Sequence, residues 1–151
     1  MRISRGLGRA ADARGQALLE TAFILPVVLL LGICIFEFGR AYQTSQVLTN
    51  AAREGARVAI LPGTTTADVQ ARVTTYLQGG QLDNYSNATI TVDQNVNMPM
   101  GAATTSASVV TVNYPFSFMV LNPVANLVTG GSTLGSPLML TASAEMRNEA
   151  Q

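Results

Sequence analysis

Between Glu20 and Glu37 the chain carries sixteen consecutive uncharged residues, "TAFILPVVLLLGICIF". As an α-helix they cover about 24 Å, short of a hydrocarbon core of roughly 30 Å. If Glu20 is neutralised, the apolar stretch runs from Gln16 to Phe38, about 35 Å, which spans a bilayer with some tilt. Pro26 withdraws the N–H that would bond to Ala22 and is expected to kink the helix or loosen its first turns, a defect that membrane helices tolerate. Beyond the run, Ala41, Ser45, Leu48, Ala52, Gly55 and Ala59 recur every three or four positions. This spacing predicts a continuing helix with a narrow stripe of mostly small side chains. The stripe permits close packing and is expected to face the protein's own sheet in preference to neighbouring helices in a filament. Pro62-Gly63 is the stop, so a helix over 16–61 is about 70 Å long.

The remaining pattern changes character. "ADVQARVTTYLQ" (67–78) has apolar positions at Val69, Val73, Tyr76 and Leu77, a cap at Thr66 or Thr65, and Gly79-Gly80 as its end, so a short helix is predicted. "ATITVD" (88–93), "SASVVTVNY" (106–114) and "LMLTASAEM" (138–146) alternate or concentrate β-branched residues and predict three strands. "FSFMVLNPVANLV" (116–128) is apolar on every side and reads as a short helix or hydrophobic loop, with core packing favoured over docking to other subunits or a membrane surface. The expected fold is α+β: a long membrane-spanning helix followed by a small head, in which a short helix and a three-stranded antiparallel sheet pack on that helix. The organisation expected is a basic leader over 1–15, the long helix over 16–61, embedded to about residue 38, and the head over 62–151.

Charge sharpens this picture. The formal net charge is zero and only 12% of residues are charged, so no basic surface for nucleic acid exists. All nine basic residues are arginines, and four of them (Arg2, Arg5, Arg9, Arg14) precede the apolar run against one acid, Asp12. The positive-inside rule then places the N-terminus in the cytoplasm and the head outside it. Glu37 with Arg40, and Glu54 with Arg57, are three apart and read as solvated ion pairs on the helix surface. The chain has no histidine, and its one cysteine, Cys34, lies in the apolar run, which rules out an intrachain disulfide and removes the commonest general base. No phosphate loop, metal motif or nucleophile elbow is present, and no two carboxylates stand at a catalytic spacing. Neither an enzyme nor a cofactor is expected.

Glu20 remains to be explained. An ordinary secretory signal is disfavoured because no small-residue cleavage site follows the apolar run, and an uncleaved anchor leaves the acid unpaired at the membrane. A cut after Gly15 instead creates an ammonium on Gln16, four residues before Glu20 and one turn away on the same face. Carboxylate and ammonium then pair, helped by the helix N-terminus.

Gly15, four residues and then Glu20 opening an apolar helix behind a basic leader resemble the type IV prepilin signal cut by prepilin peptidase. Leu25-Pro26, Glu37-Phe38-Gly39-Arg40 and Asn50-Ala51-Ala52-Arg53-Glu54-Gly55-Ala56-Arg57 narrow this further. With the leader they resemble the TadE-like family of minor pilins, or pseudopilins, of bacterial tight-adherence (Flp) pilus systems. The resemblance implies a structural subunit with a type IV pilin-like fold, held in the cytoplasmic membrane or within a pilus. The partners it implies are prepilin peptidase, other pilins or pseudopilins, the inner-membrane assembly machinery and the lipid bilayer. Thr21 and Gln16 depart from residues common in such proteins, which bears on methylation of the new terminus and not on the cut. The rival reading is an uncleaved bitopic membrane protein whose extracytoplasmic domain binds a ligand or wall polymer.

Overall fold

The computed structural model describes residues 6–100, 103–129 and 137–148. A long helix, α1 (Gly6–Ala59), is followed by α2 (Thr66–Gly79), a 3₁₀ turn at Tyr85–Asn87, strands β1 (Thr89–Met100) and β2 (Ala103–Phe116), helix α3 (Leu121–Thr129) and strand β3 (Leu138–Arg147). The three strands form one antiparallel sheet in the order β1-β2-β3. This is the α+β arrangement that the pattern of the sequence predicts.

At 54 residues α1 is about 80 Å long. It continues without interruption through Pro26, and it closes two residues earlier than the Pro62-Gly63 signal suggests. There Ile60 N–H still bonds the Ala56 carbonyl at 3.3 Å, while Leu61 N–H turns back to Val58 at 3.1 Å. Gly63, at φ +78°, then reverses the chain in a left-handed conformation that costs glycine little.

α1 divides by burial. Residues 15–32 are exposed all round, with Leu18 at 73%, Phe23 at 72% and Leu31 at 57% of full exposure. From Glu37 onward one face is covered: Glu37, Thr44, Leu48, Ala51, Ala52, Gly55, Ala56 and Ala59 are buried. This face meets α2 through Val69, Val73 and Leu77, and meets the sheet through Val110, Val112, Tyr114 and Phe116. Strand side chains alternate, so Ile90, Val92, Leu140, Ala142, Ala144 and Met146 also point to the helices, while Thr91, Thr111 and Ser143 face outward as one cross-strand row.

Local chemistry fixes the ends of the head's elements. Thr65 caps α2: its hydroxyl accepts from Asp68 N–H at 3.3 Å while the Asp68 carboxylate accepts from Thr65 N–H at 3.0 Å, a reciprocal capping box. β1 is interrupted by a bulge between Asp93 and Val96, with Asn95 at φ +63°. The bulge turns the Gln94 amide toward the carbonyls of Ala59 (3.4 Å) and Thr64 (3.3 Å), so β1 supplies a donor to the open end of α1. The Ser108 hydroxyl lies 3.4 Å from the same Ala59 carbonyl and 2.7 Å from Asn148 Oδ1.

Gly55 is a point of very close approach within the head. A β-carbon built there stands 2.5 Å from Val73 Cγ2 and 3.1 Å from Val110 Cγ1, so α1, α2 and β2 meet at a spot with no room for a methyl group. Gly55→Ala gains up to about 1 kcal/mol of helix propensity but overpacks a closed site at a cost of roughly 1–3 kcal/mol. A net loss of stability is expected in urea melts of the detergent-solubilised protein, with Gly55→Leu failing to fold its head. An unchanged midpoint for Gly55→Leu would show that the three elements do not close on this residue.

Candidate functional site

The residues singled out by the sequence fall in two places on α1. Gly15, Gln16, Glu20 and Pro26 lie on the part that stands clear of the head. Around Gly15 no heavy atom comes within 4 Å of a built β-carbon. Gln16 and Glu20 are both exposed, and four residues of helix put them on one face about 6 Å apart along the axis. Among the described residues Glu20 makes no ion pair and no hydrogen bond, whereas its neighbour Thr21 bonds the Ala17 carbonyl at 2.8 Å. The small-residue stripe lies in the other half: Leu48, Ala52, Gly55 and Ala59 are buried and Ala41 and Ser45 half-buried. Its close-packing surface is taken up by the protein's own α2 and sheet.

Where the two halves of α1 meet stands Glu37. Its side chain is fully buried, which corrects the reading of Glu37 and Arg40 as a solvated pair. One carboxylate oxygen accepts from Arg40 Nη1 at 3.0 Å and the other from the backbone N–H of Val120. Val120 immediately precedes α3, so an acid on α1 occupies the N-terminus of a helix 83 positions away in the chain, where the helix dipole favours an anion. Arg40 in turn lies over the Phe116 ring, 5.3 Å from its centre. Phe118 stacks edge-on against both Phe116 (5.3 Å) and Phe38 (6.5 Å). Sequence reasoning missed this neck because only folding brings Val120 to Glu37. The one local signal is that Glu37 directly follows the apolar run, where an unpaired charge has no bland explanation.

The second helix ion pair is also more than a pair. Glu54 accepts from Arg57 at 3.1 and 3.2 Å and from Arg72 of α2 at 2.6 and 3.0 Å, so it clasps α1 to α2. These bonds, first to Arg57 and then to Arg72, hold the Glu54 carboxyl below the usual carboxylate range. Asp68 is lowered likewise by its bonds to Thr65. Burial pushes the Tyr114 hydroxyl up, with Asp83 adding to the shift and Arg40 opposing it; this hydroxyl donates to the Asp83 carbonyl. An open cleft of about 490 Å³ lies beside it, lined by Arg40, Thr44, Asp83 and Tyr114 among others. No two carboxylates face each other there, and among the described residues no group of three or more His, Cys, Asp or Glu side chains is placed to hold a metal. Among the described residues this arrangement is suited to holding elements together.

Fold and site therefore define a class: a protein with, among the described residues, one helix long and apolar enough to cross a membrane, carrying a small α+β head clamped to that helix's second half. Residues 15–57 match the family model described as TadE-like protein, the family whose blocks the sequence resembles. The matched segment is the length of α1 from Gly15 almost to its end. It contains Glu20, Glu37, Glu54 and Gly55 and leaves the head from α2 onward outside the match. No curated protein and no solved structure matches the chain.

Two outcomes follow from this geometry. Glu37→Ala removes the acceptor of the Val120 N–H and should loosen α3 by roughly 1.5–3 kcal/mol, the range for a hydrogen bond to a charged group. Hydrogen exchange of the Val120 and Leu121 amides reads it directly, with Glu37→Gln, which keeps an acceptor, intermediate. Because the Glu54 carboxyl is depressed in the folded state, its stabilisation is complete above the ordinary carboxylate range and is lost as pH falls through the depressed value. Acid melts of the wild type should thus steepen in that window, and Glu54→Gln should flatten the dependence. Its arginine partners are largely exposed, so the effect is modest and shrinks with salt.

Proposed function

We propose that the protein is a structural assembly subunit, a minor pilin or pseudopilin, needed to build a tight-adherence pilus and cut by prepilin peptidase after Gly15. The observation that carries this reading is the division of α1. Over residues 15–36 it presents an apolar, exposed surface with one acid, Glu20, near its start, and the TadE-like match begins at Gly15. A surface of that kind has two natural environments, lipid before assembly and neighbouring helices after it. In this reading the protein waits in the cytoplasmic membrane with its N-terminus inside and its head outside. On assembly α1 exchanges lipid for other pilin or pseudopilin helices, recruited with the inner-membrane assembly machinery.

Glu20 then meets the Gln16 ammonium of its own or an adjacent subunit. An axial offset strands a charge in apolar surroundings, so the pair selects one register. With the stripe from Ala41 to Ala59 occupied by the head, the surface left for other subunits is the exposed half of α1. A head of this size favours the minor role, since the usual major subunits of these systems have almost none.

Mass spectrometry of the membrane-extracted protein tests the cut. A mature chain beginning at Gln16 is expected, and Gly15→Ala should retain the leader. An intact N-terminus on the wild-type protein would favour the uncleaved bitopic reading instead. Glu20→Ala should leave the cut largely unchanged and reduce pilus yield by about tenfold or more, given the roughly 2.5–3.5 kcal/mol that a charge costs at mid-bilayer. Normal assembly of that variant would refute the register argument.

A further inference from the structure

We propose that the segment joining β2 to β3, from Ser117 into α3, lies on the bilayer surface as a second, non-spanning membrane contact, and that its ligand is the phospholipid interface itself. The position of the segment comes first. Glu37 is the first charge after the apolar run, and it holds the N-terminus of α3, so α3 starts at the level where the span ends. The Phe38–Phe118–Phe116 stack fixes the same level from the side. Register does so again: Phe116 pairs with Leu138 and Pro115 with Met139, which brings the start of β3 to this end of the head.

The surface chemistry of this end is that of a lipid contact. Met119 is 59% exposed, Met139 58% and Leu138 48%, beside Phe38 at 64%, and Val124 of α3 is also open. The sheet's outward row carries Thr91, Thr111 and Ser143, and elsewhere on the head Leu61, Tyr76 and Val96 are exposed by 45%, 38% and 37%, below Met119, Met139 and Leu138. A contiguous apolar patch of this kind marks an interaction site. No Asp, Glu, Lys or Arg occurs from 94 to 144, so nothing in the segment demands full hydration, and nothing is provided to attract anionic headgroups. Backbone polarity is dealt with as well, because Glu37 accepts the N–H at the helix start that would otherwise be costly against lipid.

A second copy of the chain is the competing occupant. The bilayer has the stronger claim because the apolar surface is continuous with that of α1: once α1 inserts, lipid headgroups already surround Phe38 and everything packed at its height. Such binding is driven by apolar burial and needs no anionic lipid.

The chain has no tryptophan, so a single introduced indole reports its own surroundings. The full-length protein, reconstituted in vesicles of brominated phosphatidylcholine, is compared as Met119→Trp, Val124→Trp, Phe23→Trp within the span, and Val96→Trp on β1 near the far end of α1. The indoles at 119 and 124 should be quenched several-fold more than that at 96, with blue-shifted emission, and equally well when phosphatidylglycerol is added or salt is raised. If 119 and 124 are as unquenched as 96 while 23 is quenched, α1 spans and the surface contact is refuted. Blue-shifted but unquenched emission at 119 would assign the patch to a second copy and refute the lipid assignment, as would a requirement for anionic lipid. An unquenched 23 would remove membrane insertion itself, on which this proposal rests; the leader cut is a separate question that none of these outcomes touches.

Discussion

The head of this protein depends on how closely other elements approach the second half of α1. A run with Ala51, Ala52, Gly55, Ala56 and Ala59 on its buried face lets α2 and β2 reach the helix backbone, and at Gly55 the approach leaves no space for a methyl group. Small side chains bury little apolar area each, so the larger partners Val69, Val73, Leu77, Val110 and Val112 supply the volume that fills the core. The helix is thus the smooth surface against which the rest is built. The polar contacts then lock the arrangement at its ends: Gln94 and Ser108 at the Ala59 carbonyl that closes α1, Glu54 between α1 and α2, and Glu37 at the neck.

A single helix that serves two phases has to change its face where it leaves one of them. In α1 that change happens over a few residues, from the exposed Phe36 to the buried Glu37. Placing an acid there is costly unless it is fully hydrogen-bonded, and Arg40 and the start of α3 provide the partners. The same contact that satisfies the charge ties the β2–β3 connection to the end of the apolar run. Head orientation relative to the apolar half of α1 is therefore set by one buried carboxylate together with a small aromatic stack.

Much of the fold was legible along the chain because it rests on local chemistry. A cap was expected at Thr66 or Thr65, and the helix begins at Thr66 behind the Thr65 cap. Alternation located all three strands, though each runs further than its β-branched centre: β1 continues to Met100 through Pro99, and β2 reaches Phe116 through Pro115. Proline is admitted there because Pro115 lies past the last β1 pair, Thr89 with Asn113, where only β3 accompanies it. The bulge at Asp93–Val96 had no signature in the alternation, since its purpose is to aim Gln94 at a helix end that lies 35 positions earlier in the chain.

By itself the sequence determined the apolar length of α1, the position of Gly15 and Glu20 within it, the periodicity of its small residues and the identity of the head's elements, all of which depend on neighbours a few residues apart. Tertiary structure decided what those residues touch. It gave the small stripe to α2 and the sheet, turned Glu54 from one half of a surface pair into a clasp between two helices, and buried Glu37 under a helix from the far end of the chain. The physical reason is the same in each case: a hydrogen bond or a close approach between distant segments is specified only once the sheet and helices have set the distance, and no pattern of spacing along the chain encodes it.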